Sequence, residues 1–307
     1  MPDHALISLD AVIVAVTDGA PRVLVANDGG VDALPSGPLN LVTHPTLERG
    51  MRSWVVQQTG LVLGHVEQLY TFGDRFRDPR EAAGGPRVIS AAYLALVREG
   101  VLPPGFDAAW ADWYAYLPWE DWRQGRPGLI DANLLPLLQA WLAAHPEQRV
   151  RARQCFGLDR WPWEPERALE RYELLWEAGL VQEAQRERLQ AGPVVAGRPM
   201  ARDHRRILAT ALGRLRGKLK YRPLVFELLP DRFTLSQLQR VVEALAGQPL
   251  HTQNFRRLVA NAGLVEPTGQ QSHATRGRPA ALFRFRREVL QERPAPGLGL
   301  PKAIREG

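Results

Sequence analysis

Cysteine is nearly absent from this chain of 307 residues. Cys155 stands alone, which excludes an internal disulfide framework and a thiolate zinc site built within one chain. No apolar run approaches the ~20 residues that a membrane-spanning helix needs. The opening segment, MPDHALISLDAVIVAV, reaches Thr17-Asp18-Gly19 after a short apolar stretch and reads as a strand and turn rather than a secretion signal. A soluble chain in a reducing cytoplasm, with no membrane partner, is the expectation. The histidines, His4, His44, His65, His145, His204, His251 and His273, form no metal-ligand spacing, so no metal site is expected. A nucleophile elbow, a Walker loop and a Rossmann glycine fingerprint are all missing, which leaves acyl transfer and ATP hydrolysis without support. No resident cofactor is expected.

Acidic residues are scarce in the C-terminal third. Residues 1–200 hold 19 Lys and Arg against 25 Asp and Glu, a net of −6, whereas residues 201–307 hold 20 against 8, a net of +12. So basic a segment usually meets a polyanion, and its patterning points to double-stranded DNA. Thr234-Leu-Ser-Gln237 is a capping box. It opens a helix with Leu235, Leu238, Val241, Val242 and Leu245 on one face, stopped by Gly247. Thr252 is placed to cap a second helix, which buries Phe255, Leu258, Val259 and Ala262 and presents Gln253, Asn254, Arg256 and Arg257 outward. Amide and guanidinium groups at that position suit base edges and phosphates in a major groove. Gly263 ends this helix. Leu264-Val265-Glu266 and the alternation of Ala281, Phe283 and Phe285 then predict a hairpin, with Arg276 and Arg278 in its loop as a phosphate-gripping wing. Lys218 and Lys220 join this set as phosphate contacts. A helix pair used only for dimerisation is the bland alternative.

Leu34 to Leu61, LPSGPLNLVTHPTLERGMRSWVVQQTGL, is a glycine-rich turn followed by an amphipathic helix ending in Thr-Gly. This outline resembles a Nudix box, the loop-helix-loop that holds magnesium against a diphosphate. Its acidic ligands are missing. Ser53 and Trp54 stand where that pattern has Arg-Glu, Gln57 and Gln58 stand where it has Glu-Glu, and Glu48 falls out of register. Magnesium wants hard anionic oxygens and hydrolysis wants a carboxylate base, roles an amide fills poorly. The segment therefore predicts a pocket that binds a nucleotide without cutting it. Arg49, Arg52 and Gln57 on its helix, with Tyr70, Phe72, Asp74, Arg75 and Arg77 around Tyr70-Thr-Phe-Gly-Asp74, are the candidate effector contacts.

The runs Leu215 to Pro230, Phe233 to Gln239, Asn254 to Arg257 and Arg276 to Pro279, with Tyr70 to Asp74 and Val88 to Val97, together resemble the Nudix-related transcriptional regulators of NAD metabolism. Among these the chain is most similar to the longer NadQ type, and less to the NrtR type. The resemblance implies an α+β chain. Residues 1–125 would form a degenerate Nudix-like α/β/α sandwich acting as sensor, and 126–200 a helical insertion packed on it. Residues 201–220 would be a linker and dimer helix, and 221–307 a winged helix-turn-helix with a flexible tail from about 292. Leu134 to Ala144 and Glu164 to Ala178 read as amphipathic helices of the insertion, with Trp161, Trp163 and Trp176 as packing residues rather than an adenine platform. The implied function is a homodimeric repressor of NAD biosynthesis genes whose effector is NAD, ADP-ribose or ATP. The competing expectation is a divergent Nudix hydrolase acting on ADP-ribose or a related dinucleotide.

Overall fold

The computed structural model describes residues 5–75, 78–188, 190–272, 279–292 and 297–298. Its organising strand is β1 (Ala5–Thr17), buried without a break from Ser8 to Ala15 because both faces are covered. Side chains alternate across a strand. Leu9, Ala11 and Ile13 accordingly enter one core with Met51 and Val55 of helix α1 (Leu47–Thr59), while Val12 and Val14 enter a second core on the opposite face. β1 pairs antiparallel with β2 (Ala20–Asp28) and parallel with β6 (Arg87–Leu96). β2 also pairs with β3 (Val31–Ala33) and β7 (Ala108–Asp112), β1 with β4 (Ser36–Pro38), and β6 with β5 (Val66–Phe72). A short α2 (Pro79–Ala82) precedes β6.

The second core is larger and continuous. It joins the sheet to α3 (Leu135–Ala144), α4 (Arg149–Phe156), α5 (Ala168–Glu177) and α6 (Gln182–Arg188), then to α7 (His204–Lys218), α8 (Leu235–Ala246) and α9 (Thr252–Ala262). The two amphipathic helices expected in the insertion are present, and α4 and α6, unforeseen in the sequence, flank them. Trp163 is buried, 4.5 Å from the Trp122 ring and with the Arg171 guanidinium 3.8 Å from its centroid, so it packs the interior.

α7, expected as a linker and dimer helix, is largely enclosed by the rest of the chain. Ile207, Leu208, Ala211, Leu212 and Leu215 form an apolar stripe, and His204, Arg205, Ala209 and Arg216 are buried as well. A helix enclosed on most sides by β1, β5, α5 and α8 is a central strut and leaves little apolar seam for a second chain.

In the C-terminal region both halves of the capping box form: Thr234 Oγ1 accepts from the Gln237 N–H, and Gln237 Oε1 accepts from the Thr234 N–H. Gly247 and Gly263 close α8 and α9 in the left-handed conformation that favours glycine. β8 (Val265–Ser272) and β9 (Ala280–Phe285) make the hairpin, and its base is tied to the preceding turn by the Phe233–Phe283 bridge. A last short helix, α10, covers Val289–Glu292.

Candidate functional site

Two surfaces have the chemistry of a site, and α7 runs between them. One is a cleft of about 290 Å³ where β2, β4 and the end of α1 meet; Asn27, Asp28, Ser36, Gln57, Asp107 and Arg202 supply its polar lining and Phe106 an aromatic wall. Trp54 lies flat against Gly37, where an added Cβ would come within 2.2 Å of the ring, and its Nε1–H donates to the Pro38 carbonyl at 2.9 Å. Gln58 forms a two-point clamp on the Ser36 backbone: Oε1 accepts its N–H at 2.9 Å and Nε2 donates to its C=O at 2.8 Å. A carboxylate could make the first bond but not the second. The amide thus holds β4 against the helix. Gln57 is exposed at the cleft and free to meet a ligand. The two amides are poor magnesium ligands, and among the described residues no group of three or more His, Cys, Asp or Glu could hold a metal ion.

Arg202 enters the cleft from the segment just before α7. Its guanidinium donates to Asp28 Oδ2 and Ser36 Oγ, each at 3.0 Å, and its backbone has a φ of +50°, a conformation L side chains rarely take. His204 follows it into the protein. Its Nδ1 accepts the Leu34 N–H at 2.9 Å, which leaves the proton on Nε2, 3.3 Å from Asp10 Oδ1. Both side chains are buried. Arg206, one turn further, lies over the Phe72 ring and pairs with Asp74, Glu173 and Asp203; burial opposes its charge, but those carboxylates prevail and raise its pKa.

The other end of α7 is fixed by charge too. Glu120 is fully buried, with Arg171 donating to both its oxygens at 2.6 and 2.9 Å and Arg216 donating to Oε2 and, at 2.8 Å, to the Glu120 carbonyl. Burial alone would raise the pKa of this carboxyl; the two guanidinium ions override it and hold it below the usual range. Arg216 also donates to the Leu245 carbonyl in α8, the Tyr114 hydroxyl donates to the Ala244 carbonyl, and the Trp122 N–H donates to the Gly247 carbonyl. Direct hydrogen bonds thereby join the segment after β7, α7 and α8.

The second surface is the outer face of α9. Thr252, Gln253, Asn254, Arg256 and Arg257 are all exposed on it, while Phe255 and Val259 anchor the helix beneath. His251, rather than Thr252, occupies the N-cap position, and Thr252 Oγ1 instead meets Gln239 Nε2.

The structure separates several residues that the sequence grouped. Lys218 pairs with Glu67 and Lys220 with Glu166, all four partly buried, so neither lysine lies open to a DNA phosphate. Arg52 spends its guanidinium on the Leu63 and Gly64 carbonyls and on Glu48, and Arg49 is exposed on α1 outside the cleft lining. Phe72 and Asp74 sit with Arg206 on the far side of Arg202; Tyr70 is exposed on β5, and Arg75 pairs with Glu81. Arg77, Arg276 and Arg278 lie outside the described residues. Sequence reasoning missed Asn27, Asp28, Ser36, Asp107 and Arg202. The Asn-Asp-Gly-Gly turn at 27–30 was a visible signal for the first two, and nothing local marked the others.

Comparison with known proteins accords with this geometry. Residues 225–285 match the family described as the NrtR DNA-binding winged helix domain. A curated relative from Acinetobacter baylyi, an "ADPR responsive transcriptional repressor NtrR", is 41% identical over 86 residues; that match takes in 28% of this chain and about a third, 34%, of the relative. Among solved structures, Shewanella oneidensis NrtR complexed with a 27mer DNA covers 93% of this chain and 95% of its own, with a TM-score of 0.55 and 22% identity. A MutT/nudix family protein from Enterococcus faecalis covers 93% and 89%, with a TM-score of 0.53 and 16% identity. The chain therefore shares the fold of these two structures, an α/β/α sandwich joined through α7 to a C-terminal segment in which residues 225–285 match the NrtR winged helix domain.

Proposed function

We propose that this protein is a DNA-binding transcriptional repressor of NAD biosynthesis genes that acts as a homodimer and responds to ADP-ribose held in the cleft beside Gln57. The observation that carries the reading is the exposed face of α9, with two amides and two guanidinium groups, within the segment that matches the NrtR winged helix. Phosphates accept from arginine and base edges exchange hydrogen bonds with amides, so this face can both grip and read a duplex. The assignment of ADP-ribose, in preference to NAD or ATP, is supported by the description of the Acinetobacter relative. The cleft binds rather than hydrolyses, because amides occupy the positions at which a carboxylate would activate water.

Fluorescence anisotropy with promoter DNA adjacent to the gene, in the presence and absence of ADP-ribose, tests the proposal. Sequence-specific binding that shifts at least severalfold with ADP-ribose supports it. Magnesium-dependent turnover of ADP-ribose with no DNA affinity would replace it with the hydrolase reading. Among the described residues no helix is long and apolar enough to cross a membrane.

A further inference from the structure

We infer that Arg202 takes the place of a metal ion in the cleft, as the cation that meets the diphosphate of its ligand. This rests on the reading of the cleft as an effector site. The polar groups there divide by chemistry. Asp28 is an acceptor suited to the hydroxyls of a sugar, Gln57 is an amide able to donate or accept, Asn27 is engaged by Asp107 and the Gly30 N–H, and Arg202 is the cation of the lining. A guanidinium is planar, permanently charged and matched to two phosphate oxygens at once. In the ligand-free protein it rests on Asp28 Oδ2 and Ser36 Oγ, and Asp28 is half exposed, so the exchange of these partners for phosphate oxygens occurs at the cleft surface with little to desolvate.

The position of Arg202 in the chain gives that exchange a mechanical outlet. Left-handed backbone at a long charged side chain is strained and persists where the surroundings impose it. Here they do so from both sides: the Arg202 carbonyl accepts from Arg186, the Ala201 N–H donates to the Asp32 carbonyl, and α7 starts at His204, two residues on. A ligand that draws the guanidinium away from Asp28 pulls on the first turn of α7, whose far end is locked to α8 through Arg216. The residue that reads phosphate therefore lies two positions before the helix that carries the signal.

Calorimetric titration of the full chain with ADP-ribose and with inorganic pyrophosphate, each in magnesium and in excess EDTA, tests the inference with Arg202→Gly and Arg202→Lys. Glycine accepts the left-handed backbone, so Arg202→Gly removes the guanidinium while relieving strain. The expected result is wild-type binding of both probes that EDTA leaves unchanged. Arg202→Gly should bind both at least about tenfold more weakly, the loss of a charge-assisted bidentate contact. Arg202→Lys should recover part of the loss. Equal binding by wild type and Arg202→Gly, or wild-type binding that requires magnesium, overturns the inference. Arg202-dependent binding of pyrophosphate without binding of ADP-ribose keeps the inference and removes ADP-ribose as the effector. Binding of neither probe ends both.

Discussion

The segment from Arg202 to Lys220 and the helix α9 both carry cations, and the protein holds them in opposite ways. In the first, Arg202, Arg205, Arg206, Arg216, Lys218 and Lys220 pair with Asp28, Glu183, Asp74 and Glu173, Glu120, Glu67 and Glu166, all carboxylates of the acidic first 200 residues. In the second, Arg256 and Arg257 face solvent with no carboxylate partner among the described residues. The charge asymmetry along the sequence is thus partly an internal seam, in which a basic helix is held inside an acidic host, and only partly an interface. A cation count locates charge; burial and pairing decide whether that charge is structural or available to a partner.

The contrast is sharpest at Glu120. Replacing it with alanine leaves the Arg171 and Arg216 guanidinium ions buried without their counterion, and unfolding should become easier by about 3–5 kcal/mol, read by urea denaturation. The same carboxylate sets a pH dependence. Its folded pKa lies below its unfolded value, so its contribution is complete above the ordinary glutamate pKa of about 4.3 and is lost as the pH falls through the lower, folded value. A melting temperature that stays level from neutral pH to about pH 5 and drops in more acid solution is the expected profile.

The α9 pair should behave in the reverse way. The Arg256→Ala/Arg257→Ala double variant should melt with the wild type yet lose operator affinity, by ~1–3 kcal/mol for each arginine that reaches a base. Undiminished binding in a gel shift would reject α9 as the reading helix. Thr234→Ala removes one arm of the capping box, and a stability loss of ~1 kcal/mol in the same urea titration should accompany it. Lys218→Ala should have the smallest effect, under about 1 kcal/mol in stability, because its pair with Glu67 is near the surface. The salt dependence of DNA binding should not change in this variant; a slope reduced by about one would mean that the lysine leaves Glu67 to reach a phosphate.

The C-terminal helices were legible in the sequence because their signals are local. A Thr-x-x-Gln box, a 3.6-residue apolar period and terminal glycines each act within a few residues, and α8, α9 and the hairpin follow them. The cleft was half legible. The glycine turn and the helix ending at Gly60 marked its floor, but its other walls come from residues as far apart as Asn27, Asp107 and Arg202, which only the sheet topology brings together. Lys218, Lys220 and Arg52 were misplaced for the same reason: a basic side chain looks alike in sequence whether its partner is a distant carboxylate, a nearby carbonyl or a phosphate. The enclosure of α7 was hidden as well, since Arg205 and Arg216 read as surface residues until Glu183 and Glu120 are seen against them.

The clamp between Gln58 and the Ser36 backbone has a bearing on how this protein can change over time. Glutamine and glutamate codons differ in one base, so an acidic side chain at either position is genetically close. At position 57 the exposed side chain would accept the change at little structural cost. At position 58 a carboxylate would confront the Ser36 carbonyl it can no longer donate to, and β4 would lose its tie to the helix. A lineage acquiring a negative charge there would have to re-anchor the strand.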